Sequence, residues 1–222
     1  MTTKTLLSWS SGKDAAWALQ LLRKAPETEV VGLLTTVNES LGEISMHGVR
    51  ERLLELQAEA AGLPLWKVPL PSPCPNDLYE ARMAELMARM QEEGIGAVAY
   101  GDLFLAEIRA YREARHAGTG VEAIFPLWER PTSELAREML EGGLQARLSC
   151  VDTSRLDPRF AGRSFDLQLL QELPPTVDPC GENGEFHTFV WNGPMFRRPI
   201  PLTLGEVALR DGFAYSDLKP AP

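Results

Sequence analysis

The sequence predicts a doubly wound parallel α/β sheet followed by a smaller C-terminal α+β domain. Three observations predict it. Strand-like and helix-like segments alternate from residue 5 to residue 100 with connections of a few residues, the rhythm of parallel strands joined by crossover helices. Residues 29–36 form an almost unbroken apolar run, which suits a central strand buried on both faces. The small or polar stretches 10–14, 35–37 and 101–102 fall at the C-terminal ends of expected strands, where right-handed crossovers place the ligand cleft.

The elements follow in order. Residues 5–7 read as a short buried strand, and Ala15, Ala18, Leu19 and Leu22 repeat at helical spacing behind it. After the strand at 29–36, residues 38–46 are polar and read as a loop. Val49, Leu53, Leu56 and Ala60 mark a second helix that Gly62 and Pro64 end. Residues 65–68 are a strand, and the proline-rich run 69–75 cannot be helical. Asn76 is the expected N-cap of a third helix, with Tyr79, Met83, Leu86, Met87 and Met90 as core filler rather than ligands. Gly94 stops it before a strand at 97–100. A helix over 105–116 carries Arg109, Arg112 and Arg115 on one side, either a phosphate-facing basic stripe or a solvated face laced with pairs such as Arg109 with Glu113; the solvated reading suits Arg112 and Arg115 better. A strand at 122–125, a helix from Thr132 to the Gly142-Gly143 pair and a strand at 145–151 complete the pass. The domain boundary is expected between Trp128 and Leu144, giving units 1–135 and 136–222.

Composition narrows the class. With 44% apolar and 24% charged residues in 222, the chain reads as a globular protein, and no apolar run reaches the length of a membrane span. No apolar stretch of signal-peptide type precedes Ser8. Cys74, Cys150 and Cys180 are odd in number and widely spaced, which points to free thiols in a reducing cytoplasm and away from zinc. A net charge of −9 argues against general binding to a nucleic-acid backbone.

Residues 6–15 carry the chemistry. A strand that empties into Ser10-Ser11-Gly12 and then a helix presents unpaired amides and a positive dipole end to an anion, and Lys13 adds a full charge. The P-loop of kinases would need glycine at Leu7 and a hydroxyl residue at Asp14, so it is excluded, and Gly12 lacks the companions of a dinucleotide fingerprint. An ordinary strand-to-helix turn capped by serine remains the plain alternative. A second stretch, residues 178–190, sets Gly181 and Gly184 beside Glu182, Glu185 and His187. Two glycines allow positive φ or close approach, and in an extended segment Glu185 and His187 would share a face. A metal site from Glu182, Glu185 and His187 is conceivable on this pattern, and so is a turn with solvated acids.

The first stretch resembles the PP-loop of the ATP pyrophosphatases at Ser10, Gly12, Lys13 and Asp14, departing from it at Ser11 (usually Gly) and Ala15 (usually Ser). Taken with residues 181–188, His47-Gly48-Val49, Gly101-Asp102 with Arg109, and Pro126-Leu127-Trp128, the chain resembles the diphthine–ammonia ligase family or a divergent bacterial-type relative. That resemblance implies a HUP-like N-terminal domain that binds ATP and Mg²⁺, an acceptor carboxylate that is adenylated with release of pyrophosphate, and ammonia that then attacks it. In the family the acceptor is a modified histidine of an elongation factor in archaea and eukaryotes; here the acceptor is left unnamed. The resemblance implies nucleotide contacts at Ser8, Ser10, Ser11, Gly12, Lys13, Asp14, Thr35, His47 and Gly101, with Asp14 on the metal. It implies catalytic work for Lys13, Asp14, Asp102, Arg109, Glu182, Glu185 and His187. Two alternatives stay open, a nucleotide-binding regulator, which Ala15 favours, and an ATP pyrophosphatase that uses water. A homo-oligomer also stays open.

Overall fold

The computed structural model describes residues 2–38, 43–44 and 48–221. Five parallel strands form the first sheet: β1 (Thr3–Ser8), β2 (Thr28–Asn38), β4 (Leu65–Leu70), β5 (Ala97–Ala99) and β6 (Glu122–Ile124), in the spatial order β4-β2-β1-β5-β6. A two-residue strand, β3 (Glu43–Ile44), pairs antiparallel with the end of β2, within the stretch read as a loop. The chain winds outward from β1 through β2 to β4, then returns to lay β5 on the other side of β1. The topological switch point is therefore between β1 and β5, the crevice where such sheets bind ligands.

Helices cover both faces. On one, α1 (Lys13–Leu22) buries Ala15, Ala16, Trp17, Ala18, Leu19 and Leu22, and α2 (Glu51–Ala61) buries Leu53, Leu54 and Ala58. Gly62 ends α2 in the left-handed conformation, as its position past the last apolar repeat predicts. Val49 is buried but lies ahead of the helix. On the other face, α3 (Asn76–Glu92) and α4 (Ala106–His116) flank a small cluster of Leu6, Trp66, Met90, Ile95, Val98 and Val121.

Two expectations for α3 are corrected. Asn76 is its first residue, not its cap; Pro75 holds the cap position, with no side-chain bond to the helix. Of the apolar stripe only Met90 is fully buried, while Tyr79, Met83, Leu86 and Met87 are half-buried because they line a cavity. A cavity wall and a core face share one periodicity, so the sequence could not separate them.

α5 (Thr132–Glu141) leads into the second sheet, which is antiparallel: β7 (Gln145–Asp152), β8 (Ser164–Phe165), β9 (Phe186–Asn192), β10 (Leu202–Arg210) and β11 (Phe213–Pro220), with α6 (Leu167–Glu172) between β8 and β9. The expected division at 135/136 falls inside α5, where Leu135, Ala136 and Met139 are buried and Glu138 accepts a hydrogen bond from Trp17 Nε1 at 3.0 Å. The largest apolar cluster runs without a break from Leu7, Trp17 and Leu19 of the first half to Phe165, Phe186 and Phe189 of the second. Among the described residues no helix is long and apolar enough to cross a membrane.

Candidate active site

The turn between β1 and α1 is held from outside. Gly12 caps α1 in an extended conformation without a side-chain bond of its own, and the amide of Lys13 donates instead to Thr188 Oγ1 of β9 at 3.0 Å. Val190 N donates to Ser11 O at 3.0 Å, and Gln57 Nε2 donates to Ser11 O and to Val190 O at 3.0 and 2.7 Å. Gln57, fully buried on α2, also accepts from Trp9 Nε1 at 2.9 Å. The second signature is thus hydrogen-bonded to the first. A Cβ on Gly12 would sit 3.3 Å from Thr188 O, and one on Gly101 would sit 3.0 Å from Ala15 N. These glycines are what lets β9 and the end of β5 close on the turn.

Ser11 has φ of +70°, in the left-handed region that glycine tolerates and serine resists. Its hydroxyl is buried without a hydrogen-bond partner. The preference of the PP-loop for glycine here therefore has a conformational cause. Ser11 acts through its carbonyl and lines neither cavity of the site.

Two cavities meet at the switch point. One, about 360 Å³, is lined by Ser10, Gly12, Lys13, Asp14, Gly101, Asp102, Glu182 and His187. The other, about 850 Å³, runs under α3 and α4 past Thr35, Tyr79, Met83 and Tyr111. Ser8, Ser10, Tyr100 and Arg112 border both. The Lys13 ammonium, 2% exposed, pairs with Asp14 Oδ2 at 2.8 Å and donates to the Cys180 carbonyl. Burial works against its charge, but Asp14 and the acidic surroundings outweigh that, and its pKa is raised. Asp14 lines the smaller cavity, and its Oδ1 is buried without a partner, an unspent hard-oxygen donor. An oxygen donor of this kind fits a hard cation such as Mg²⁺, which Asp14 would hold.

Glu182 Oε1 accepts from Leu103 N at 2.8 Å, and burial lifts its carboxyl to about 7. Burial, with Lys13 adding to it, drops His187 to about 4, so its imidazole is neutral at pH 7. Asp102 is clasped by both Nε and Nη2 of Arg112, whose guanidinium lies 4.1 Å from the Tyr100 ring centre.

Two expected site residues are not brought to this cleft. Arg109 bonds Glu113 at 2.7 Å, lies 5.0 and 4.7 Å from the ring centres of Phe125 and Trp128, and lines neither cavity. The arginines of the site are instead Arg112, which borders both cavities, and Arg115, which lines the larger one; helical spacing alone made both look solvent-bound. Glu185 is 1% exposed and turned into its own loop, accepting from Asp178 N, Asn183 N and Asn183 Nδ2 at 3.0 to 3.1 Å. It precedes β9, so the strand alternation that would align it with His187 does not apply. His47 lies outside the described residues. Among those residues no three His, Cys, Asp or Glu side chains cluster to hold a metal, so Glu182, Glu185 and His187 make no metal site. Sequence reasoning missed Gln57, Tyr100, Arg112 and Thr188. Thr188 had a signal as the last residue of the second signature, and Arg112 as a member of the basic stripe on residues 105–116.

Comparison with known proteins agrees with this geometry at both ends of the chain. Residues 3–120 match the family model for the diphthamide synthase N-terminal domain, and residues 131–219 match that for the diphthamide synthase C-terminal domain. The chain belongs to the diphthamide synthase family. It is 24% identical to the human diphthine–ammonia ligase over 228 residues, covering 93% of this chain and 85% of the relative. It is 28% identical to the zebrafish (Danio rerio) diphthine–ammonia ligase, covering 81% and 76% respectively. A fission yeast (Schizosaccharomyces pombe) diphthine–ammonia ligase is 26% identical, but this chain spans only 36% of its length.

Proposed function

We propose that this chain is an ATP-dependent amide-forming ligase of the diphthine–ammonia ligase type, which joins ammonia to an acceptor carboxylate through an adenylate. The observation that carries the reading is the meeting of the two cavities across the turn after β1, with Ser8, Ser10, Tyr100 and Arg112 common to both. Adenosine would lie in the larger cavity beside Thr35, and the phosphates in the smaller one beside Gly12, Lys13 and Asp14. ATP supplies a transferable AMP group with pyrophosphate as the leaving group, and Mg²⁺ on Asp14 would offset phosphate charge.

The chain's own groups do the rest. Lys13, the N-terminus of α1 and Arg112 place positive groups at the smaller cavity, the two side chains each paired with a carboxylate, Asp14 and Asp102, that incoming phosphates would compete with. Attack of ammonia on an acyl adenylate forms the C–N bond, expels AMP and releases one proton. Glu182, ionised above about pH 7, has the basicity to accept that proton at neutral pH, whereas His187, at about 4, is too weak a base and serves as a neutral hydrogen-bonding wall. The second half of the chain, joined through α5, would present the acceptor. The acceptor is a carboxylate, borne by a protein if it resembles that of the relatives. Three separated cysteines support a cytoplasmic setting.

Product analysis tests this. With ATP, Mg²⁺, ammonium and acceptor, AMP and pyrophosphate should accumulate together and in step with amide. ADP and phosphate as the main pair would overturn the proposal, and so would pyrophosphate release indifferent to acceptor and ammonium.

A further inference from the structure

The second sheet carries a surface that the ligase reading leaves unused. Among the described residues, three of the large apolar side chains that stand exposed lie on one strand, β10: Leu204, Val207 and Leu209, at 47%, 48% and 69% exposure. In the antiparallel pair with β11, Leu204 faces Leu218, Val207 faces Ser216 and Leu209 faces Ala214. Residues directly opposed in such a pair stand on the same face of the sheet. On β11 that face is turned to the core, for Ala214, Ser216 and Leu218 are at most 3% exposed. The core-facing side of the sheet therefore continues across β10, and no described residue covers it there. β10 is also the end strand, and among the described residues no strand pairs with its outer edge. Long apolar edge strands are templates for further pairing unless something blunts them. A bulge at residues 205–206 does so in part, leaving residues 207–210 as the regular stretch with Glu206 at its edge.

We propose that this edge is a homodimer interface, in which β10 pairs antiparallel with β10 of a second copy about a twofold axis at Ala208. The pattern of residues 206–210 favours a second copy over an unrelated strand, because it is complementary to its own reverse. With Ala208 facing the partner's Ala208, Val207 meets the partner's Leu209, and Glu206 meets the partner's Arg210. Twofold symmetry repeats each contact, giving two apolar pairs on the core-facing side and two opposite-charge pairs on the other. Arg210 already lies along that other side, 4.5 Å from the Tyr215 ring centre. A twofold pairing must keep core-facing residues opposite one another, so the neighbouring registers centre on Val207 or Leu209. Centring on Val207 sets Leu204 against Arg210 and Leu209 against Gly205; centring on Leu209 sets Glu206 against Gly212. Only the register at Ala208 joins both charge pairs and both apolar pairs.

Sedimentation velocity of the full chain, from a few to about 200 μM, tests the proposal together with charge exchange. The parent should dimerise with a dissociation constant in the micromolar range. Glu206→Arg and Arg210→Glu each set like charges opposite one another twice, and each should weaken dimerisation about tenfold or more. The double variant Glu206→Arg/Arg210→Glu restores both pairs and should recover the parent affinity to within about threefold. Leu209→Asp should leave a monomer that unfolds at the temperature the parent shows when diluted to its own monomeric range, since the side chain is exposed in a single copy. A parent monomeric at the highest concentration overturns the inference. A dimer indifferent to both single exchanges overturns it too, as does a double variant that stays as weak as the single ones.

Discussion

Ser11 shows at the scale of one residue how the turn after β1 is tuned. Its φ of +70° and its buried, unpartnered hydroxyl are both unfavourable, and neither serves the cavities, which the side chain does not line. A non-glycine residue in this region costs about 1–2 kcal/mol, part of which a glycine would return as unfolded-state entropy. Ser11→Gly should therefore raise stability by about 1 kcal/mol, read as a higher urea midpoint at unchanged slope. ATP affinity should stay within about twofold, because the Ser11 carbonyl contacts to Val190 and Gln57 persist. A lower midpoint would show that the hydroxyl or the strain has a role in holding the turn. Glycine at this position was legible as a family preference, but its cause was not, since φ belongs to a backbone path that β9 and α2 enforce.

At the scale of elements, the loop before β9 separates two carboxylates that the sequence offers as equals. Glu182 lines the smaller cavity with a carboxyl raised to about 7; Glu185 is buried among three donors of its own loop. Glutamine at 185 keeps the shape but has one acceptor oxygen, so its amide must face at least one N–H donor. Glu185→Gln should then cost about 2 kcal/mol of stability, in contrast to the catalytic role its neighbourhood suggests. Glu182→Gln is the counterpart: near-parent stability with slower amide formation, measured beside ATP affinity. A stable, slow Glu185→Gln would return that residue to the chemistry. The sequence was legible where periodicity was strong, as in β1, α1, β2, α2 and α5, and where glycine placement forced a turn, as at Gly181 and Gly184 with φ of +68° and +84°. It was silent over 153–177 and 193–221. Elements as short as β8 and α6 have too few residues to show a period, and the exposed β10 has no buried face to produce one.

At the scale of the whole molecule, the expected division into 1–135 and 136–222 meets a core that does not divide. Trp17, Leu19 and Leu135 share one apolar cluster with Phe186 and Phe189, and α5 spans the cut. The turn after β1 takes its helix cap from Thr188 and its strand contact from Val190, both beyond the cut. Residues 1–135 alone would expose the buried face of α1, truncate α5 and leave the Lys13 amide uncapped. We therefore expect that fragment to lack a cooperative unfolding transition and to bind ATP at least tenfold more weakly than the whole chain. Ending the first fragment at 142 completes α5 without supplying β9, so it should fail in the same way until residues 143–222 are added. In the intact chain, far-UV ellipticity and the fluorescence of its tryptophans should then fall in one coincident urea transition. Separate transitions, or native ATP affinity in fragment 1–135, would show that the N-terminal sheet folds and binds alone. The second sheet would in that case be an appended acceptor module rather than one wall of the same site.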